Sequence, residues 1–282
     1  MRNLVSTDWL ASELGAPDLL VFDTTKYLPN EPRDAQAEFA AAHIPGAGFF
    51  DIDAVADPET DLPHMAPTPG RAARMLGALG IGNHHRVVFY DQKGLFSAAR
   101  GWWLMRLFGH EKAAVLDGGL PKWRAENRAT QAGSVADVQP QAFWTDFIAR
   151  RLAGIGDVKR VVEDRSALIL DARPKGRFDG TAPEPRPGLP SGHMPGAASV
   201  PASDLLHADG TMLPPDELRT RFAAAGVTEN EARPLIASCG TGVTACIVAL
   251  GLVQAGLPEP AVYDGSWTEW ASRPETAKQS NA

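Results

Sequence analysis

The sequence predicts an α/β fold of two halves of the same design, each a mainly parallel sheet with helices on both faces. A repeat and an alternation carry this expectation. Leu19-Leu-Val-Phe-Asp23 matches Leu168-Ile-Leu-Asp171, and His43-Ile-Pro-Gly-Ala47 matches His193-Met-Pro-Gly-Ala197. Val87-Val-Phe-Tyr-Asp91 matches Leu235-Ile-Ala-Ser-Cys239, and Asp117-Gly-Gly-Leu-Pro-Lys-Trp123 matches Asp264-Gly-Ser-Trp-Thr-Glu-Trp270. The offsets are 148, 150, 148 and 147 residues, and four ordered matches at nearly one offset mark a duplication. Within each half, short apolar runs alternate with helical stretches, the pattern of strands buried on both faces and joined by helices.

The strands of the first half are expected at 19–23, 47–50, 86–90 and 113–116. Thr68-Pro69 supplies an N-cap with proline at the first helical position, and Pro215-Asp-Glu opens the corresponding helix of the second half. Gly109 and Gly256 fall where the helices after the two key loops should stop. The expected organisation is a first domain over 1–130, a linker over 131–155 rich in Gln, Pro, Ala and Gly, and a second domain over 156–282. The polar tail Glu275–Ala282 is expected to be disordered.

The chemistry concentrates in Leu235-Ile-Ala-Ser-Cys-Gly-Thr-Gly-Val-Thr-Ala-Cys-Ile-Val-Ala-Leu250, an apolar strand that breaks into a glycine-spaced loop and then an apolar helix. A loop of this kind is expected to curl its backbone N–H groups around the Cys239 sulfur, with the helix N-terminus aimed the same way. Both effects favour the thiolate. Gly240 and Gly242 provide backbone freedom for so tight a turn. Cys246, among Ala, Ile, Val and Leu, reads as core, and two helical turns place it on the order of 10 Å from Cys239. The first half has Asp91 where the second has Cys239, so one copy alone can do thiol chemistry.

Bulk properties narrow the classes. A net charge of −7 without a Lys/Arg cluster argues against nucleic acid. No apolar run approaches the roughly 20 residues of a membrane span, and the opening Met-Arg-Asn-Leu-Val-Ser-Thr-Asp-Trp lacks an apolar signal core. Two cysteines make no disulfide framework, which leads to an expectation of a reducing, cytoplasmic setting. A cysteine-dependent phosphatase would need Arg six positions after the nucleophile, where Ala245 stands.

With these residues in view, the chain resembles the tandem-domain rhodanese family over nearly its whole length. Cys239-Gly-Thr-Gly-Val-Thr244 is similar to the neutral loop of 3-mercaptopyruvate sulfurtransferases, whereas thiosulfate sulfurtransferases of the family tend to carry Cys-Arg-Lys-Gly-Val-Thr. The resemblance implies sulfur transfer through a Cys239 persulfide to cyanide, a small thiol or thioredoxin, with release of pyruvate and no metal or organic cofactor. It implies arginines at Arg177 and Arg186 that hold the donor's carboxylate, a task suited to planar guanidinium groups. Gly240, Gly242, Val243 and Thr244 are implied to bind substrate through the loop. Phe49-Phe-Asp-Ile-Asp53 and Pro63-His-Met-Ala66 resemble the segments that supply an Asp and a His, here Asp53 and His64, to a proton-handling triad with the loop hydroxyl. That hydroxyl is Thr241, where many relatives carry Ser, and its β-methyl restricts the rotamer. The alternatives are a thiosulfate:cyanide sulfurtransferase and a non-enzymatic persulfide carrier whose inactive half docks a partner.

The remaining candidates read as structural. His43 and His193 occur in both halves, with and without the cysteine, and His84, His85 and His110 have no partner at ligand spacing. Trp267 and Trp270 read as core, with Gly265-Ser-Trp267 at a strand end able to border the pocket.

Overall fold

The computed structural model describes residues 1–133, 138–228 and 231–281. Among the described residues ten strands form two five-stranded sheets, with every strand pair parallel. The first sheet holds β1 (Leu4–Val5), β2 (Leu19–Asp23), β3 (Gly48–Phe49), β4 (Arg86–Tyr90) and β5 (Ala113–Leu116), in the order β1-β5-β4-β2-β3. The second holds β6 (Leu152–Ala153), β7 (Leu168–Asp171), β8 (Ala198–Ser199), β9 (Leu235–Ser238) and β10 (Ala261–Tyr263), in the order β6-β10-β9-β7-β8. The two orders are the same, as the duplication requires. Each sheet reverses its winding next to its central strand, β4 or β9, and in such sheets ligands bind beyond the carboxyl ends of the strands there.

Alternation along each strand decides which core it serves. Val87 and Phe89 of β4 point into the large core, while Val88 and Tyr90 point into a separate core on the other face. In the second sheet Leu235 and Ala237 join that same large core, and Ile236 faces a third cluster with Trp267 and Trp270. The inward faces of both sheets therefore share one continuous apolar interior. The helices Ala98–Leu107 and Ala245–Gln254, which follow the equivalent loops, run through it and pack on each other. Trp102, Trp103, Ile247 and Leu250 are buried there, at about 1.5–3 kcal/mol per large apolar side chain. A cost of that size keeps the halves from separating.

Arg100 is a charge buried inside this interface. It is fully buried, stacks at 4.5 Å on the Trp103 ring, and donates from Nη1 to Asp264 Oδ1 at 2.6 Å and to the Gly242 carbonyl at 3.2 Å. Its Nη2 donates to the His64 carbonyl. Asp264 in turn accepts from the Ala66 backbone N–H at 2.5 Å.

Helix ends follow the expected chemistry: Thr68 caps Pro69–Ala78 through its hydroxyl, Pro215 opens Pro215–Ala224, and Gly109 and Gly256 adopt left-handed φ of 82° and 73°. Other expectations shift. The strand placed at 47–50 pairs over Gly48–Phe49 only, and the two-residue strands β1 and β6 are too short to have shown periodicity. β6 lies within the stretch read as linker, of which residues 134–137 fall outside the described residues, and Phe143 of that stretch is buried against the first half. The tail expected to be disordered is paired instead, up to Asn281; Ala282 is outside the described residues. His193 and Gln279 exchange backbone hydrogen bonds of 2.8 and 2.9 Å, as His43 and Gln131 do 148 residues earlier in Gln numbering, so the tail repeats an element of the first half.

Replacing Arg100 by Met leaves Asp264 buried without its partner and is expected to lower the unfolding free energy by about 3–5 kcal/mol. The double variant Arg100→Met/Asp264→Asn should lose less than Arg100→Met alone in urea titration. A double variant at least as damaged would show that the pair contributes nothing.

Candidate active site

Cys239 directly follows β9, where the strand gives way to a turn before the helix Ala245–Gln254. It is 1% exposed and lies at the wall of a cavity of about 240 Å³ built by both halves: His64, Lys93 and Phe96 from the first, Arg177, Arg186 and Thr241 from the second. Val243, Thr244 and Gly240 also line it. The turn needs Gly242, whose φ is 77° and where a Cβ would sit 2.8 Å from the Asp264 carbonyl oxygen. Gly240 has no positive φ; a Cβ there would press on Arg177 Nη2 at 3.1 Å. Gly242, expected with the substrate-binding residues, is turned toward the domain contact instead. Its carbonyl accepts from Arg100 and from the Cys246 thiol, and its N–H donates to Ser266 Oγ. Cys246 is thus a core thiol, pushed up to about 12 by burial.

Ser266 is the part of this loop that sequence reading missed. Its Oγ accepts from Cys239 N at 3.0 Å and Gly242 N at 3.1 Å and donates to the Tyr263 carbonyl at 2.7 Å. It stands 4.0 Å from Cys239 Sγ. The hydroxyl therefore staples both ends of the turn to the end of β10. It does so from a left-handed backbone, φ 50°, at the position where the first half has Gly119 at φ 53°. A residue with a side chain pays about 1–2 kcal/mol for that conformation. The signal was legible: Asp264-Gly-Ser departs from Asp117-Gly-Gly at one residue.

The expected amide cradle takes a more specific form. Among the described residues, the N–H groups of Thr241, Val243 and Thr244 have no protein acceptor, and none reaches Cys239 Sγ itself. The first half shows what such a loop does to an anion. Asp91, in the place of Cys239, accepts from the N–H groups of Lys93 at 2.9 Å, Phe96 at 2.7 Å, Ser97 at 2.8 Å and Ala98 at 2.9 Å. Lys93 and Phe96 are the 148-residue counterparts of Thr241 and Thr244. The second loop thus offers amides to an anionic atom just beyond Sγ.

His64 enters from the first half with a left-handed φ of 64° and is buried. Its Nδ1 lies 2.5 Å from Asp53 Oδ1, and the other oxygen of Asp53 is held by Lys26. The His64 hydrogen bond holds the Asp53 carboxyl well below the usual carboxylate range, against its partial burial and with help from Lys26. Burial lowers the His64 pKa and outweighs the pull of Asp53. An ionised Asp53 makes Nδ1 the protonated nitrogen, which leaves Nε2 as the acceptor facing the cavity. Arg186 Nη2 is 3.4 Å from it. Thr241 lines the same cavity, but among the described residues no hydrogen bond joins its hydroxyl to His64, so two members of the expected triad meet and the third stands by.

The two arginines differ. Arg177 is engaged by Glu184, through Nε at 3.1 Å and through Nη2. Arg186 makes no ion pair among the described residues; burial and the neighbouring Arg177 pull it below its ordinary value. Behind them Arg173 is held by Asp171 and by Glu184 Oε1 at 2.8 Å. Among the described residues no cluster of three or more His, Cys, Asp or Glu could hold a metal ion. His43 and His193 are structural: each ring stacks on a Phe, Phe39 or Phe178, and bonds that residue's carbonyl through Nδ1.

The model of the rhodanese-like domain matches residues 6–126 and again 155–273. The chain is 45% identical to a mitochondrial thiosulfate/3-mercaptopyruvate sulfurtransferase 1 of Arabidopsis thaliana, over 96% of this chain and 76% of that one. It is 42% identical to human 3-mercaptopyruvate sulfurtransferase, over 97% and 94% of the two chains. The crystal structure of SseA from Escherichia coli, described for the rhodanese fold and catalytic mechanism of 3-mercaptopyruvate sulfotransferases, superposes with a TM-score of 0.85 at 36% identity, covering 95% of this chain and 99% of that one.

Replacing Ser266 by Gly removes the staple and relieves the backbone, whereas Ser266→Ala removes the staple and keeps the strain. The Gly variant should therefore be the more stable of the two by about 1 kcal/mol in thermal unfolding, while both change the rate at which Cys239 is alkylated. Wild-type alkylation in both variants would remove Ser266 from the site.

Proposed function

The chain belongs to the rhodanese family, with two rhodanese-like domains in tandem, and from that membership we propose that it is a 3-mercaptopyruvate sulfurtransferase working through Cys239. The observation that carries the reading is the convergence, on one cavity, of a thiol beneath unoccupied amides, an arginine without a carboxylate partner, and a neutral histidine whose Nε2 meets that arginine.

In the first half-reaction the Cys239 thiolate attacks the donor's sulfur, and the S–S bond forms as the donor's C–S bond breaks. The electron pair of the broken bond passes to carbon as the enolate of pyruvate. Arg186 holds the carboxylate and Arg177 adds a second guanidinium beside it, which limits the donor's approach to one orientation. His64 Nε2 takes the donor's thiol proton and returns it to the enolate carbon, directly or through the Thr241 hydroxyl, so that pyruvate leaves and Cys239 carries an anionic persulfide. The amides of Thr241 and Thr244 face the outer sulfur, as their counterparts face the Asp91 carboxylate. In the second half-reaction a thiophilic acceptor attacks that outer sulfur and Cys239 departs as thiolate. Cyanide gives thiocyanate by this route, and a small thiol or reduced thioredoxin serves equally. A reducing, cytoplasmic setting suits a chain whose two cysteines are both free. No helix among the described residues is long and apolar enough to cross a membrane.

Intact-mass analysis after brief exposure to 3-mercaptopyruvate should show the gain of one sulfur atom, abolished by iodoacetamide and by Cys239→Ser. Persistent sulfur uptake in Cys239→Ser sinks the assignment of the nucleophile.

Because His64 must be neutral to act and its pKa is depressed, kcat/KM for the donor should hold on falling pH and decline only below the ordinary histidine value near 6.5. Replacing His64 by Gln should remove that acid limb. A limb centred above 6.5 would contradict a buried, neutral imidazole.

A further inference from the structure

Four cationic side chains border the cavity: Lys26, Lys93, Arg177 and Arg186. Three of them are cancelled by carboxylates that stand behind the cavity wall. Asp53 holds Lys26, Glu31 holds Lys93 through both oxygens at 3.0 Å, and Glu184 holds Arg177. Arg186 alone has no carboxylate at ion-pair distance among the described residues, and its side-chain contact is the neutral His64. Apart from the Cys239 thiolate, whose charge every donor meets alike, the cavity therefore shows a donor one uncompensated positive charge. That count fits a donor with a single carboxylate and disfavours a dianion such as thiosulfate, which would bring a second negative charge into a space of about 240 Å³ with nothing to meet it.

Glu184 is the carboxylate on which this count turns. Its side chain is 3% exposed, so its charge is little screened, and it stands on a guanidinium beside the cysteine loop, with Arg177 Nη2 3.1 Å from a Cβ built at Gly240. Its second oxygen is bound by Arg173, but Arg173 is already matched by Asp171 through contacts of 2.6–3.1 Å. The cluster of Arg173, Arg177, Asp171 and Glu184 thus sums to zero. We propose that Glu184 sets the donor's charge: by cancelling Arg177 it holds the cavity to one free cation and selects monocarboxylate thiol donors over dianionic sulfane donors. It touches no reacting atom and acts through Arg177, as a positioning residue. This inference rests on the sulfurtransferase reading above and adds to it a source of specificity outside the neutral loop.

The test compares kcat/KM for 3-mercaptopyruvate and for thiosulfate, with cyanide as acceptor, in the wild type, Glu184→Gln and Glu31→Gln. Glu184→Gln keeps the side-chain shape and frees Arg177's charge, and the thiosulfate-to-mercaptopyruvate ratio should rise about tenfold, with the gain shrinking as salt is added. Glu31 is partly exposed and can be replaced without emptying a buried site; freeing Lys93 should move the ratio the same way by a smaller factor. A loss of architecture alone would depress both donors together and leave the ratio unchanged. An unchanged or lower ratio in folded Glu184→Gln overturns the proposal, and if that variant does not fold, an unchanged ratio in Glu31→Gln overturns it. A wild type that already prefers thiosulfate defeats the functional reading as well, whereas a wild type that prefers mercaptopyruvate with unmoved variants defeats the Glu184 assignment alone.

Discussion

The buried pair Arg100–Asp264 is the contact on which the site depends, because it joins three segments that chemistry needs in register. Arg100 belongs to the first half and Asp264 to the second, yet both bind backbone atoms of the other half's functional segment. Arg100 fixes the carbonyls of Gly242 in the cysteine loop and of His64, and Asp264 fixes the N–H of Ala66, two residues past that histidine. A full charge in an apolar interface is costly unless its partners are in place. The halves therefore have one well-satisfied way to dock, and that arrangement brings His64 and Cys239 to the same cavity.

The duplication makes the molecule its own control. At Asp91 the loop holds a carboxylate with four backbone N–H groups, and at Cys239 the same loop leaves amides open. At Gly119 a left-handed turn is free of strain, and at Ser266 the same turn carries a side chain that ties Cys239 and Gly242 in place. Strain accepted at one copy and avoided at the other marks a position where the hydroxyl does something the glycine does not. His43 and His193 show the opposite case, since identical stacking and hydrogen bonding in both copies serve the fold alone.

Local pattern made the five-residue strands β2 and β4 legible, along with the nucleophile's loop, because runs of four or five apolar residues bounded by polar ones leave little choice of structure. The two-residue strands carry no period, and the tail's order depends on pairing with His193, more than eighty residues away in sequence. In the site, Cys239, His64, Asp53, Arg177 and Arg186 were reachable from motifs. Arg100 and Glu184 carry no motif, and Gly265-Ser-Trp267 shows only a place near the pocket, since each of Arg100, Ser266 and Glu184 matters through a partner that is distant in sequence or hidden behind the wall. Gly242 was placed on the substrate side because sequence gives a glycine's freedom and not its direction.

The first half, although it lacks the thiol, is more than a scaffold. Its loop is closed by its own Asp91, and Asp23 beside it, lacking the arginine that Asp171 finds in Arg173, is pushed by burial up to about 6. What the half contributes is directed across the interface: the imidazole of His64, whose Nε2 meets Arg186, the guanidinium of Arg100, and the carboxylates Asp53 and Glu31 that mask two lysines at the cavity. Cys239, Arg177 and Arg186 come from one copy, His64, Asp53 and much of the charge balance from the other. The cavity lies between the halves because no single copy holds all the groups that line it.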